Sequence, residues 1–113
     1  MARKAHAYSA QTLDTIRVLG LEIARARRAR RWPAQELATR AGISRATLSA
    51  VESGVPTVAI GVVFEVAVLV GIDLLGASAQ QLPGLIEASR NRLELLPASV
   101  RARASDTEGD DNF

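Results

Sequence analysis

The chain contains no cysteine. That excludes a disulfide framework, a thiol nucleophile and a thiolate metal site. Histidine occurs once, as His6, with no partner at metal-ligand or catalytic spacing. No Ser/His/Asp arrangement, glycine-rich phosphate loop or paired-carboxylate motif is present, so the residues argue against an enzyme and against a metal or cofactor. Aromatic residues make up only 4% of the chain, so aliphatic packing must build its core. The longest apolar segment, Val58 to Ile72, is interrupted by Glu65 and is shorter than the roughly 20 helical residues that span a bilayer. No apolar run of signal-peptide type stands at the N-terminus. The expectation is a cytoplasmic protein without a membrane segment.

What is present fits one folded domain. The 113 residues are 48% hydrophobic, enough to bury a core. The net charge of +2 conceals an asymmetry. Residues 1–50 carry Lys4 and nine arginines against three acids, a net +7. Residues 51–113 carry four arginines against nine acids, a net −5. The basic half attracts phosphates, while the acidic half suits a basic protein surface or is simply solvated.

Residues 1–8 read as a flexible arm. From Ser9 to about Arg30 the apolar residues Leu13, Ile16, Ile23 and Ala26 recur near helical spacing, with Ser9 or Thr12 as the cap. Gly20 weakens that helix by about 1 kcal/mol relative to alanine. The alternative is a helix that starts there, with residues 12–19 as a separate turn. Arg31-Trp32-Pro33 breaks the run, and Pro33 is tolerated at the start of the next helix. Helices follow over about Ala34–Arg40 and Arg45–Glu52, and Gly54 and Pro56 mark a turn. Ile60, Val63, Phe64, Ala67 and Val68 form a further apolar stripe, ended by Gly71. Residue propensity favours a strand in this valine-rich segment, but the spacing favours a helix. A fifth helix spans about Leu82–Leu95, with Leu82, Leu85, Ile86, Ser89, Leu93 and Leu96 near one face and Pro97 as its stop. Residues 98–113 have no apolar pattern and read as an acidic, disordered tail.

The densest information lies in WPAQELATRAGISRATLSAVESG, Trp32 to Gly54. Two short helices meet at a tight turn. Gly42 closes the first, because the left-handed conformation is cheapest for glycine. Ser44 caps the second. Leu48 and Val51 form its buried stripe, which leaves Arg45, Ala46, Thr47, Ser49 and Ala50 on or near its outer face. Small and hydroxyl-bearing residues beside one long cation suit a helix that approaches base edges. Arg45 either grips a guanine edge or contacts a phosphate. Thr47 and Ser49 bond to phosphate or base, or support helix ends; Ala46 and Ala50 offer methyl contacts to thymine, or avoid a clash. Trp32 plugs the corner between the first two helices, or stacks in the open.

These residues carry a family pattern. Ile23-x-x-x-Arg27, Gln35-Glu36-Leu37-Ala38, Ala41-Gly42-Ile43-Ser44, Thr47-Leu48, Val51-Glu52-x-Gly54 and Val70-Gly71-Ile72 resemble the lambda-repressor-like (Xre) helix-turn-helix family. Pro33 and Ala34 depart from it, standing where the family has a polar cap and then glutamine; Gln35 is the nearby substitute. The resemblance implies an all-α, five-helix, lambda-repressor-like fold, in which residues 9–75 make the helix-turn-helix DNA-binding domain. It also implies a structural pair between Arg27 and Glu52, each otherwise a solvated surface charge. Arg25, Arg28, Arg30, Arg31 and Arg40 form a basic collar that attracts phosphate, although helical spacing lets only some of them face DNA; Gln35 and Ser44 are the uncharged phosphate contacts expected beside it. The implied function is a homodimeric, sequence-specific transcriptional repressor on an inverted-repeat operator in double-stranded DNA. Residues 76–97 would form a C-terminal helix for dimerisation, together with the valine-rich region. Pro56–Gly61, Leu96-Pro97-x-x-Val100-Arg101 and the terminal Asp-Asp-Asn-Phe resemble small antitoxins of HipB type. That resemblance implies a toxin–antitoxin system, in which the chain represses its own operon and neutralises a HipA-type kinase toxin. A plain regulator without a toxin, or a protein-binding module on the same fold, are the alternatives.

Overall fold

The computed structural model describes residues 6–98. In chain order it has α1 (Ala10–Ala29), α2 (Ala34–Ala41), α3 (Arg45–Glu52), α4 (Ile60–Leu69), a 3-10 turn at Leu74–Gly76 and α5 (Leu82–Glu94). The fold is all-α with five α-helices, and the described residues contain no strand. Residues 1–5 of the expected arm and 99–113 of the expected tail lie outside the described residues.

Ser9 starts α1: its hydroxyl oxygen accepts from the Thr12 backbone N–H at 3.2 Å. The helix runs unbroken through Gly20, so the alternative start at that glycine is not what forms. Gly20 has a packing reason instead. A Cβ there would sit 2.6 Å from the carbonyl oxygen of Val51 and 2.7 Å from that of Glu52. Only a residue without a side chain lets the α1 backbone lie this close to the C-terminal end of α3.

Gly42 adopts φ 71°, ψ 32° and closes α2. The Ile43 N–H then donates to the Ala38 carbonyl at 3.0 Å, which satisfies an otherwise unpaired helix end. Ser44 opens α3 by accepting from the Thr47 N–H at 3.0 Å. Ile23 and Ala26 of α1, Leu37 and Ala38 of α2, Leu48 and Val51 of α3, and Val66, Ala67 and Val70 at α4 make one aliphatic core. Fully burying an aliphatic side chain of the Ile23, Leu37 or Leu48 class contributes roughly 1.5–3 kcal/mol.

The inner face of α4 differs from the expected stripe. Val66, Ala67 and Val70 are buried, whereas Ile60, Phe64 and Val68 stay 68%, 41% and 60% exposed. The helix reads IGVVFEVAVL, apolar on every side except at Glu65. Periodicity cannot choose a face in such a segment. Packing against α2 chooses it.

After Gly76 the chain divides into a second unit. Its helix α5 has Pro83 in the first turn, and none of its residues is buried. Leu82, Leu85, Ile86 and Leu93 are all exposed along it.

Candidate nucleic-acid interface

The second helix of the turn presents the residues that the sequence singled out. At about 100° per residue, Arg45, Ser49, Ala46 and Ala50 fall on one arc of α3, opposite Leu48 and Val51. Leu48 and Val51 are buried, whereas Arg45, Ala46 and Ser49 are exposed and Ala50 is half-buried. Thr47 sits on the flank, half-buried, and its hydroxyl accepts from Ser44 Oγ at 3.0 Å. Arg45, Ala46 and Ser49 also line an open cleft of about 340 Å³ between α3 and the start of α2, completed by Ala34, Leu48 and Glu52. The outer face of α3 is uncovered, with small side chains around a single cation.

The inner side of α3 is fixed rigidly. Arg27 lies across from its C-terminal end, only 8% exposed. Its Nε and Nη2 donate to the two carboxylate oxygens of Glu52 at 2.7 and 3.1 Å. Its Nη1 donates to the Trp32 carbonyl at 2.8 Å. One guanidinium thus ties α1, the α1–α2 corner and α3 together. The hydrogen bond to Glu52 raises the Arg27 pKa from its ordinary value, against the opposing effect of burial. A bidentate pair of this kind fixes direction as well as distance. Arg27 and Glu52 therefore tie α3 to α1 and to the α1–α2 corner, and Glu52 also borders the cleft beside Arg45 and Ser49.

The expected phosphate contacts do not stand in one equivalent setting. Arg30 and Arg31 close α1, both exposed and without a carboxylate partner among the described residues. Arg31 holds φ at 59°, left-handed for a residue with a Cβ. The Arg30 guanidinium lies along Gly71: a Cβ on Gly71 would meet its Nη2 at 2.7 Å. Arg40 is less free, since its Nε donates to Glu36 at 2.8 Å and its guanidinium lies 4.3 Å from the centre of the Trp32 ring. Arg25 is likewise paired with Glu22 at 2.9 Å. Gln35 is exposed and donates to the Thr39 hydroxyl at 3.1 Å. Ser44 is occupied in capping α3. Pro33 gives α2 no side-chain cap.

Sequence reasoning missed three things here. Ala34 helps wall the cleft, and its small size is the only signal that could have shown it. Trp32 is half-buried under Arg40, so it both fills the corner and stacks; an arginine eight residues on carries no such signal. Gly20 acts from the far side of α3, and its signal was a glycine in mid-helix with no local use.

Residues 23–76, just under half of the chain, match the helix-turn-helix family model, which is Xre-like. No curated protein matches the chain, and no solved structure does. The matched segment begins at Ile23 in α1 and ends at Gly76, so it takes in the core, the turn and the whole exposed face of α3. The match supports a DNA-binding transcription regulator. None of the described helices is long and apolar enough to cross a membrane.

Proposed function

We propose that this protein is a sequence-specific DNA-binding repressor that works as a homodimer on an inverted-repeat operator. The observation that carries the reading is the bare outer arc of α3, with Arg45, Ala46, Ser49 and Ala50 facing out from a helix clamped at its other end by Arg27 and Glu52. Two such helices enter successive major grooves about 34 Å apart. Arg45 donates two hydrogen bonds to a guanine edge. Ala46 and Ala50 meet thymine methyls, and Ser49 and Thr47 bond to bases at the margin. Arg30, Arg31, Gln35, Arg40 and Ser44 meet the flanking phosphates, which positions the protein and makes binding salt-dependent. The two copies meet through apolar surfaces outside α3, on α4 and on the C-terminal helix α5. With chromosomal DNA as the ligand, the protein works in the cytoplasm.

The second role in this proposal is that of an antitoxin. It rests on the segments outside the helix-turn-helix match, Leu96-Pro97-x-x-Val100-Arg101 and the acidic Asp-Asp-Asn-Phe end, and on the net negative charge after residue 50. A HipA-type kinase toxin would bind there and leave α3 free for the operator of the shared operon. Selection of duplexes from a random pool by the purified chain tests the first role, and an enriched inverted repeat is the expected result. Enrichment of no sequence, with retention of the fold, points to a protein-binding module. Co-expression with a HipA-type kinase tests the second role: a stable complex with suppressed kinase activity is expected, and a kinase neither bound nor inhibited leaves a plain regulator.

A further inference from the structure

We propose that Trp32 is a positioning residue for DNA binding: its indole face holds the Arg40 guanidinium ready to grip a backbone phosphate of the duplex. This rests on the DNA-binding reading above and says how one collar cation is made fit for it. The Arg40 guanidinium carbon lies 4.3 Å from the centre of the Trp32 ring, and that of Arg30 lies 5.8 Å from it. Both fall within the roughly 6 Å over which an aromatic face attracts a cation. Among the described residues, these two like charges have one carboxylate beside them, that of Glu36 on Arg40. The excess of positive charge at the ring suits an anion from outside the chain.

The ring is itself held in place. The Trp32 N–H donates to the Arg27 carbonyl at 3.2 Å, and the Trp32 carbonyl accepts from Arg27 Nη1 at 2.8 Å. The indole is half-buried against the aliphatic core, so it offers a fixed surface. Arg40 is then held twice: the ring lies against its guanidinium, and Glu36 accepts from its Nε at 2.8 Å. Its Nη1 and Nη2 donate to no other group among the described residues. Those two nitrogens form an edge that matches two phosphate oxygens. Arg25 shows the contrast, because it uses both Nε and Nη2 on Glu22. Fixing a long side chain on binding costs conformational entropy, and a guanidinium already seated on a ring has less of it to lose. Arg40 stands in the last turn of α2, just before the turn into α3, so the phosphate it meets flanks the bases that α3 reads.

Packing alone explains an apolar residue at position 32, where the α1–α2 corner must be filled. It does not explain a cation seated on that residue. Leucine would fill the corner too, but it has no π face to offer. The test therefore separates the ring from its bulk.

The experiment is a double-substitution cycle on the full chain, read as affinity for a scrambled duplex across a salt series. Trp32→Leu removes the ring, and Trp32→Phe keeps one. Trp32→Leu should weaken binding about threefold or more, whereas Trp32→Phe should stay within about twofold of the wild type. The salt slope of Trp32→Leu should fall by about 1, as for the loss of one phosphate contact. Arg40→Gln should weaken binding at least as much, and adding Trp32→Leu to it should weaken binding no further, because the ring acts through Arg40. Circular dichroism checks the fold of each variant. Should Trp32→Leu unfold, Arg40→Lys decides: it keeps the charge without the planar fork, and should bind more like Arg40→Gln than like the wild type. An Arg40→Lys protein that binds like the wild type overturns the proposal. A Trp32→Leu loss that recurs in full on Arg40→Gln also overturns it, and leaves Trp32 as a packing residue. Undiminished binding by Trp32→Leu overturns this proposal alone, whereas a wild type that binds no duplex overturns the DNA-binding reading with it.

Discussion

Replacing Gly20 with alanine should destabilise the protein, against the usual direction for glycine in a helix. In an open helix interior, Gly→Ala adds about 1 kcal/mol of stability. At position 20 the new Cβ would stand 2.6 and 2.7 Å from two backbone carbonyl oxygens, those of Val51 and Glu52. Favourable non-bonded contacts lie near 3.5–4.0 Å, so the overlap is about 1 Å. Backbone carbonyls cannot turn away as a side chain can, so α1 and α3 must separate. Overpacking of this sort costs about 1–3 kcal/mol, and the upper half of that range applies where the obstacle is backbone. After the propensity gain, the net loss is about 1–2 kcal/mol. For a domain of this size that lowers Tm by about 5–15 °C. Thermal and urea unfolding followed by circular dichroism at fixed protein concentration reads the change. Gly61→Ala serves as the control, since nothing lies within 4 Å of a Cβ there; it should be neutral or slightly stabilising. A Gly20→Ala protein as stable as the wild type, or more so, would refute the close approach of α1 to α3.

Other substitutions probe the clamp and the collar. Arg27→Ala leaves the Glu52 carboxylate unmatched, in a pair whose side chains are only 10% and 15% exposed, and should cost about 3 kcal/mol in urea unfolding; a loss below about 1 kcal/mol would make it an ordinary surface pair. Because the Glu52 hydrogen bond raises the Arg27 pKa, the stabilisation is fully present below the ordinary arginine value and is lost only as pH rises through the raised one. Stability between neutral and mildly alkaline pH should therefore show no step that Arg27→Ala removes. Arg31→Gly relieves a left-handed conformation and should gain about 1 kcal/mol of stability. The same variant should bind all duplexes more weakly and reduce the salt slope by about 1; an unaltered slope means that the Arg31 side chain meets no phosphate. Removal of residues 98–113 should spare duplex binding, and a large loss would make that segment part of the DNA-binding apparatus.

Much of the fold was legible because local signals agreed with one another. Gly42, Ser44, Leu48 and Val51 each state their role through conformation, capping or spacing, and the bounds of α3 follow from them. The exposed arc of Arg45, Ala46, Ser49 and Ala50 is then what remains. The face of α4 was not legible, because a helix apolar on all sides gives periodicity nothing to choose between. Gly20 looked like a local defect because its reason lies 31 residues away, in the carbonyl of Val51. Arg31 in a left-handed conformation and Arg40 over Trp32 likewise arise only once the α1–α2 corner has closed. The settings of the collar arginines were equally hidden, since pairing of Arg40 with Glu36 and of Arg25 with Glu22 depends on rotamers that spacing permits without requiring.

The central claim is that the outer arc of α3 reads base edges. Its most direct test is the ratio of affinities for a selected inverted-repeat duplex and a scrambled one, measured at one salt concentration for the wild type and for Arg45→Ala. The account predicts that the ratio falls by about 5-fold or more, as the loss of one bidentate base contact worth roughly 1–3 kcal/mol requires. A ratio that stays the same while both affinities fall together would contradict it, and would reduce Arg45 to one more phosphate contact.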